Sequence, residues 1–171
     1  ESGQYIGMTF IVHESTLIYM GPGRIAAYDT GSGDVRWTTK GKGARAPVSH
    51  NQPSMFVHHD LLWLGGPKST REGEVMTGCD PFTGIEVRTV EAGFLVNMGH
   101  HYRCYPPRAT DQFIIFPRRG AEFMDLEGEE HMRHDWLRGA CRFGFIPGNG
   151  LLYVTPHPCF CYPGVLLHGF N

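Results

Sequence analysis

The stretch Ile25-Ala26-Ala27-Tyr28-Asp29-Thr30-Gly31-Ser32-Gly33-Asp34-Val35-Arg36-Trp37 decides the fold of this chain. An apolar run reaches Asp29, whose carboxylate is placed to accept backbone N–H groups just ahead of it. The glycines beyond it can take the positive φ of a tight turn. An alternating strand then leaves toward Trp37. Working outward from this hairpin gives four short strands: Met8 to Val12, Thr16 to Met20, Arg24 to Tyr28 and Asp34 to Thr38. Each is rich in β-branched or aromatic residues and bounded by turn formers.

The same pattern recurs. Gly78-Cys79-Asp80-Pro81-Phe82-Thr83-Gly84-Ile85-Glu86-Val87-Arg88 repeats the Asp and Gly of the turn and its outgoing strand. A weaker copy is Phe123-Met124-Asp125-Leu126-Glu127-Gly128-Glu129, and a fourth begins at Leu166-Leu167-His168-Gly169-Phe170-Asn171. The aligned residues Asp29, Asp80, Asp125 and Asn171 are 51, 45 and 46 positions apart. Paired-strand text precedes each turn, over Phe10 to Met20, Ser54 to Gly65, Gln112 to Met124 and Gly150 to Thr155. About four strands in a period of this length is the spacing of propeller blades, and helical or leucine-rich repeats are shorter. A β-sandwich with chance spacing is the alternative, since sandwiches also turn every 8 to 12 residues or so. The expected fold is all-β, a β-propeller of four-stranded antiparallel blades. About three and a half to four blades fit in residues 1–171, with approximate bounds 1–48, 49–92, 93–138 and 139–171.

Composition agrees. At 171 residues the chain has a single-domain length, and its 23 Gly and 12 Pro call for many turns. The 41% apolar and 12% aromatic content is that of a packed chain rather than a disordered one. Fifteen Lys and Arg against seventeen Asp and Glu leave a net charge of −2, which disfavours nucleic acid as a partner. No apolar run approaches the 18 or more residues of a spanning helix, so membrane insertion is not expected. The chain opens at Glu1 without Met or a charged-then-apolar leader, which reads as a mature, processed or excised product.

The text "IAAYDTGSGDVRW" resembles the repeat of the PQQ-like β-propellers, a superfamily spanning quinoprotein dehydrogenases and non-catalytic assembly-factor propellers. A narrower likeness covers roughly residues 52–171. There "GHHYRCYPPRATDQFIIFPRRGAEFMDLEG", "WLRGACRFGFIPGNGLLYVTPHPCFCY" and the closing "HGFN" resemble bacterial PQQ-binding-like β-propeller repeat proteins. The resemblance implies an exported protein, periplasmic or extracellular. It also implies a larger ring, since such propellers have roughly seven or eight blades and close to hide their sheet edges. The expected partner is the remainder of the propeller or a completing chain. Quinoprotein dehydrogenases set a disulfide of adjacent cysteines against the quinone, beside a calcium ion. This chain has no adjacent pair and no evident Glu, Asn and Asp set, so PQQ is not the expected cofactor; a metal ion stays open.

Of the five cysteines, Cys104, Cys141, Cys159 and Cys161 lie within the last 68 residues, in the quoted family-like text, and Cys79 is left over. No paired Cys-x-x-Cys knuckles of a zinc ribbon occur. In an exported protein the first reading is disulfides among Cys104, Cys141, Cys159 and Cys161, with three connectivities open. Buried thiols or a metal site are the alternatives. His157 stands between two prolines in Thr155-Pro156-His157-Pro158-Cys159-Phe160-Cys161, so His157, Cys159 and Cys161 form a candidate metal set on a stiff loop. A rigid plug for the propeller centre is the structural reading of the same loop.

Among ten histidines, one cluster looks like a site. Along Gly99-His100-His101-Tyr102-Arg103-Cys104-Tyr105 an extended chain sends His101, Arg103 and Tyr105 to one face. A base, a fixed cation and a phenol suit proton transfer on an acidic sugar, making these the candidate catalytic residues. The structural alternative is that they satisfy backbone carbonyls and lock neighbouring blades. Arg108, Arg138 and Arg142 are candidate ligand-binding cations. His58-His59-Asp60 and the His131 and His134 pair read as solvated. The expected function is a binding or scaffolding propeller that holds a carbohydrate or protein ligand at its channel or rim. A lyase or hydrolase of acidic glycans and a metal or redox propeller are the alternatives.

Overall fold

The structure is a computed structural model that describes residues 9–21, 24–40, 55–64, 68–69, 74–91, 93–96, 105–117, 120–128, 130–141 and 143–155. These belong to two compact units, 1–91 and 92–171. In the first unit, β1 (Thr9–His13), β2 (Thr16–Gly21), β3 (Arg24–Asp29) and β4 (Val35–Lys40) form one antiparallel sheet in chain order. These are the four strands expected from the sequence, shifted by one or two residues at their ends.

A second sheet follows, made of β5 (Met55–His58), β6 (Leu61–Leu64), β7 (Lys68–Ser69), β8 (Glu74–Cys79) and β9 (Glu86–Glu91). It is the first sheet with one strand interrupted. Gly78 pairs with both Trp63 and Arg88, and Val75 with both Lys68 and Glu91. β6 and β7 therefore lie end to end on one edge of β8, with β9 on the other. A bulge falls between Ala27 and Tyr28 in the first sheet and between Gly78 and Cys79 in the second, the same point of the repeat. Such bulges sharpen the local twist.

The two sheets of this unit share a core. Ile18, Met20, Ile25, Ala27 and Leu62 are buried, with Ile11, Trp37, Met55, Val57 and Leu64 packed against them. Trp63, 1% exposed, lies across from Gly78, where a Cβ would stand only 3.0 Å from the indole. The absent side chain makes room for the largest one.

In the second unit, a helical turn, α1 (Gly93–Val96), precedes β10 (Arg108–Ala109), β11 (Phe113–Phe116), β12 (Ala121–Asp125) and β13 (Met132–His134). These four strands again form an antiparallel sheet in chain order, and β14 (Phe145–Gly148) with β15 (Leu151–Val154) forms a hairpin. Asn149 and Gly150 make its tip with φ of 52° and 73°. The unit's core is Tyr105, Ile115, Ala121, Leu137, Phe145 and Val154. The described chain is thus all-β apart from one turn of helix: three complete blades and the first hairpin of a fourth. The repeat text at 166–171 lies outside the described residues.

The repeated aspartates share one chemistry. Asp29 Oδ1 accepts the N–H groups of Gly31 and Ser32 at 2.8 and 2.9 Å, and Asp80 Oδ1 those of Phe82 and Thr83 at 2.7 and 2.8 Å. Gly33 and Gly84 close the two turns by donating to the Asp29 and Asp80 carbonyls, at φ of 79° and 72°. In the third copy Asp125 Oδ1 accepts from Glu127 at 3.0 Å and Oδ2 from Glu130 at 3.4 Å. The Ser32 and Gly31 amides, with Arg36 beside them, hold the Asp29 carboxyl below its ordinary 3.8. At Asp125 burial pushes the other way, but the amides of Glu127, Gly128 and Glu130 outweigh it and the pKa is again lowered.

Candidate functional site

Of the candidate catalytic residues, Tyr105 is described; His101 and Arg103 lie outside the described residues. Tyr105 leads into Pro106 and Pro107, and its ring is fully buried against Phe145, edge to face with centroids 5.3 Å apart. Its hydroxyl accepts the Gly139 N–H at 3.0 Å. Gly144, at φ 75°, lets the chain pass over the ring, since a Cβ there would come within 2.8 Å of it. The loop closes on itself through the Gly144 N–H, which donates to the Ala140 carbonyl at 2.8 Å. The phenol therefore anchors the 139–144 loop to the core.

Arg108 is half-buried on β10 and is spent on carbonyls. Its Nε donates to Phe145 at 3.1 Å, Nη2 to Phe143 at 2.8 Å and Nη1 to Pro107 at 3.4 Å. It ties the third blade to the chain entering the fourth. Arg138 is 1% exposed, and its Nη2 reaches the Cys141 Sγ at 3.7 Å. Tyr105, Arg108, Arg138 and Cys141 are thus gathered around one loop. Arg142, Cys104, His157, Cys159 and Cys161 lie outside the described residues.

The histidines depart from the solvated reading. Of the four histidines read as solvated, His59 is exposed and His58, His131 and His134 are half-buried. The two rings at 58 and 59 stack at 4.0 Å. His131 Nδ1 accepts the Asp125 N–H at 3.1 Å. His134 bridges Phe123 and Trp136 in a run of edge-on rings, at 5.5 and 5.6 Å. A half-open sheet face buries imidazole bodies that the sequence places merely near turns.

A concavity opens between two hairpin tips of the second unit. Its volume is about 650 Å³, and it runs between Thr110–Gln112 on one side and Pro147–Leu152 on the other. Phe113, Ile115, Phe123 and Leu152 line it with apolar surface, and Asp111 is the one charged residue among the described lining residues. Such a volume is in the range of ligand pockets, roughly 300 to 1,000 Å³. The sequence marked strand text from Gln112 and from Gly150, the latter after a small-residue turn, but that the two tips face each other left no local signal.

Among the described residues no three His, Cys, Asp or Glu side chains converge on a cation position, and the sequence has no adjacent cysteines. No helix of the described residues is long and apolar enough to cross a membrane.

No family model matches the chain, and no curated protein matches it. Solved structures do. A quinohemoprotein alcohol dehydrogenase from Comamonas testosteroni is 17% identical with a TM-score of 0.50, covering 77% of this chain and 21% of its own. A second, ADHIIG from Pseudomonas putida HK5, is 17% identical at 0.47, over 82% of this chain and 20% of its own. BamB from Moraxella catarrhalis is 16% identical at 0.46, over 72% and 34%. The chain therefore spans between 20% and 34% of the length of these structures. Repeat, sheet order and likeness agree: the chain has the fold of a β-propeller segment.

Proposed function

We propose that this chain is a binding and scaffolding part of an exported bacterial propeller, working in the periplasm or outside the cell. Its ligand is a partner chain that lays an extended apolar segment with a basic side chain into the groove of the second unit. The groove carries this reading. Its floor is aromatic and aliphatic, its rim offers Thr110, Gln112 and Asn149 for backbone hydrogen bonds, and Asp111 favours a cation. Tyr105 and Arg108 support it indirectly, because their polar atoms hold the protein's own backbone.

The probe is a pair of heptapeptides alternating leucine with lysine or leucine with glutamate, titrated while amide shifts are followed. The lysine peptide should bind and shift the 110–113 and 147–152 amides, and Asp111→Asn should weaken it about 3- to 10-fold. Equal affinity for both peptides, or shifts elsewhere, would refute the groove reading. The acidic-glycan reading rests on His101, Arg103 and Tyr105, and loss of uronate-polymer turnover in His101→Ala would be needed to revive it.

A further inference from the structure

The groove of the second unit is lined by two rings that the first unit does without. Phe113 pairs with Asp125 and Ile115 with Phe123, just as Thr16 pairs with Asp29 and Ile18 with Ala27 in the first blade. Phe113 and Phe123 therefore stand at the repeat positions of Thr16 and Ala27. There the smaller side chains are fully buried, and Ile18 and Ala27 close against Leu62 of the second blade. In the second unit the same positions carry phenyl groups that stay half-buried, with centroids 5.8 Å apart and planes at 87°, and a groove of about 650 Å³ opens beside them. Aromatic surface left against water costs stability unless something covers it.

The charge beside those rings says what covers them. Asp111 is the one charged residue among the described lining residues, and Gln112 and Asn149 bring amide oxygens to the same rim. The protein fills a carboxylate-and-ring pair once with a side chain of its own. The Arg36 guanidinium bonds the Asp29 carboxylate, and its central carbon stands 5.7 Å from the centroid of the Phe82 ring. A guanidinium suits such a place because it is planar and weakly hydrated, and it can lie against a ring while its edge N–H groups reach a carboxylate. An ammonium is strongly hydrated and would leave donors facing an apolar wall without acceptors.

We infer that the side chain this groove selects in its partner is arginine, with the guanidinium seated between Phe113, Phe123 and Asp111 and lysine a poorer fit. The inference rests on the groove reading above and adds the identity of the cation. The two phenyl groups give the preference for a planar group, and Asp111 gives the preference for a charged one.

The test uses three heptapeptides that alternate leucine with arginine, with lysine, or with citrulline, the uncharged planar isostere of arginine. Each is titrated while the 110–113 and 147–152 amides are followed. The arginine peptide should bind about 5-fold more tightly than the lysine peptide and about 10-fold more tightly than the citrulline peptide. Phe123→Leu should bring the arginine and lysine peptides to equal affinity, and Phe113→Leu provides the same comparison if the first variant does not fold. Equal affinity for arginine and lysine in the unmodified protein, with the shifts still in the groove, would overturn this inference and leave the groove reading standing. Equal affinity for arginine and citrulline would also overturn it, because shape alone would then be recognised. A preference for arginine that survives the loss of either ring would remove the rings from the account and the inference with them. Shifts that fall outside the groove with every peptide would overturn both this inference and the groove reading.

Discussion

The Trp37 Nε1 donates a hydrogen bond to the Pro81 carbonyl, 44 residues away, and the indole fills the space that Gly84 leaves. One residue of a fourth strand thus reads two features of the next turn, a carbonyl and a missing side chain. The aspartate repeat is what makes them available. By anchoring the turn amides it fixes the carbonyl direction and the positive φ that only glycine adopts without strain.

Gly84→Ala and Gly33→Ala separate strain from docking. Both place a Cβ at a positive φ, at a cost of roughly 1–2 kcal/mol. Only the first also collides with an indole. Gly84→Ala should lower stability by about 1–2 kcal/mol more than Gly33→Ala, with the Trp37 fluorescence shifted to the red. Equal losses in urea titrations would remove the docking role.

Tyr105→Phe keeps the buried ring and deletes the acceptor of the Gly139 N–H. A buried donor left without its partner costs roughly 1–3 kcal/mol, so the variant should unfold at correspondingly lower denaturant. Unchanged stability would indicate that the hydroxyl serves something other than the loop.

Arg108→Met retains the stem and loses the donors to Phe143 and Phe145. Amide exchange in Phe145–Gly148 should accelerate about 10-fold or more, since the charged hydrogen bonds removed are worth roughly 1.5–3 kcal/mol each. Exchange that rises equally throughout the second unit would point to global destabilisation instead.

The aspartate turns predict acid sensitivity of a definite sign. Asp29 and Asp125 both have carboxyls held below the ordinary 3.8, so the folded state binds protons less readily than the unfolded one. Their contribution is fully present above pH 3.8 or so and is lost as the pH falls below it toward the folded values. Asp125→Asn should flatten that part of the stability profile. An unchanged slope below pH 4 or so would exclude Asp125 as a source of the acid lability.

Cys104, Cys141, Cys159 and Cys161 should be oxidised in protein isolated from an oxidising compartment. The denatured mass without reductant is then expected to be lower by about four hydrogens than after reduction. Identical masses would end the disulfide reading and weaken the case for export.

The architecture was legible because its signals are local. Asp29, Asp80 and Asp125 bond amides two and three residues ahead or close to it, and glycine supplies the backbone that no other residue adopts cheaply. The repeat therefore appears in the sequence as directly as in the sheets. The alternating strands followed from the same text, down to the four of the first blade.

What tertiary structure decided is which polar side chains remain for function. Tyr105 and Arg108 look chemically competent as a phenol and a cation beside histidines. Their actual roles depend on Gly139, Phe143 and Phe145, which lie more than thirty residues further along the chain. The facing of Thr110–Gln112 and Pro147–Leu152 is of the same kind. The sequence by itself determined the repeat, the strands and the turns, because hydrogen bonds between near neighbours are encoded side by side. Only the folded chain decided the groove and the indole contact with Pro81 and Gly84, because each is made by segments far apart in sequence packing together, and that contact has no fixed spacing along the chain.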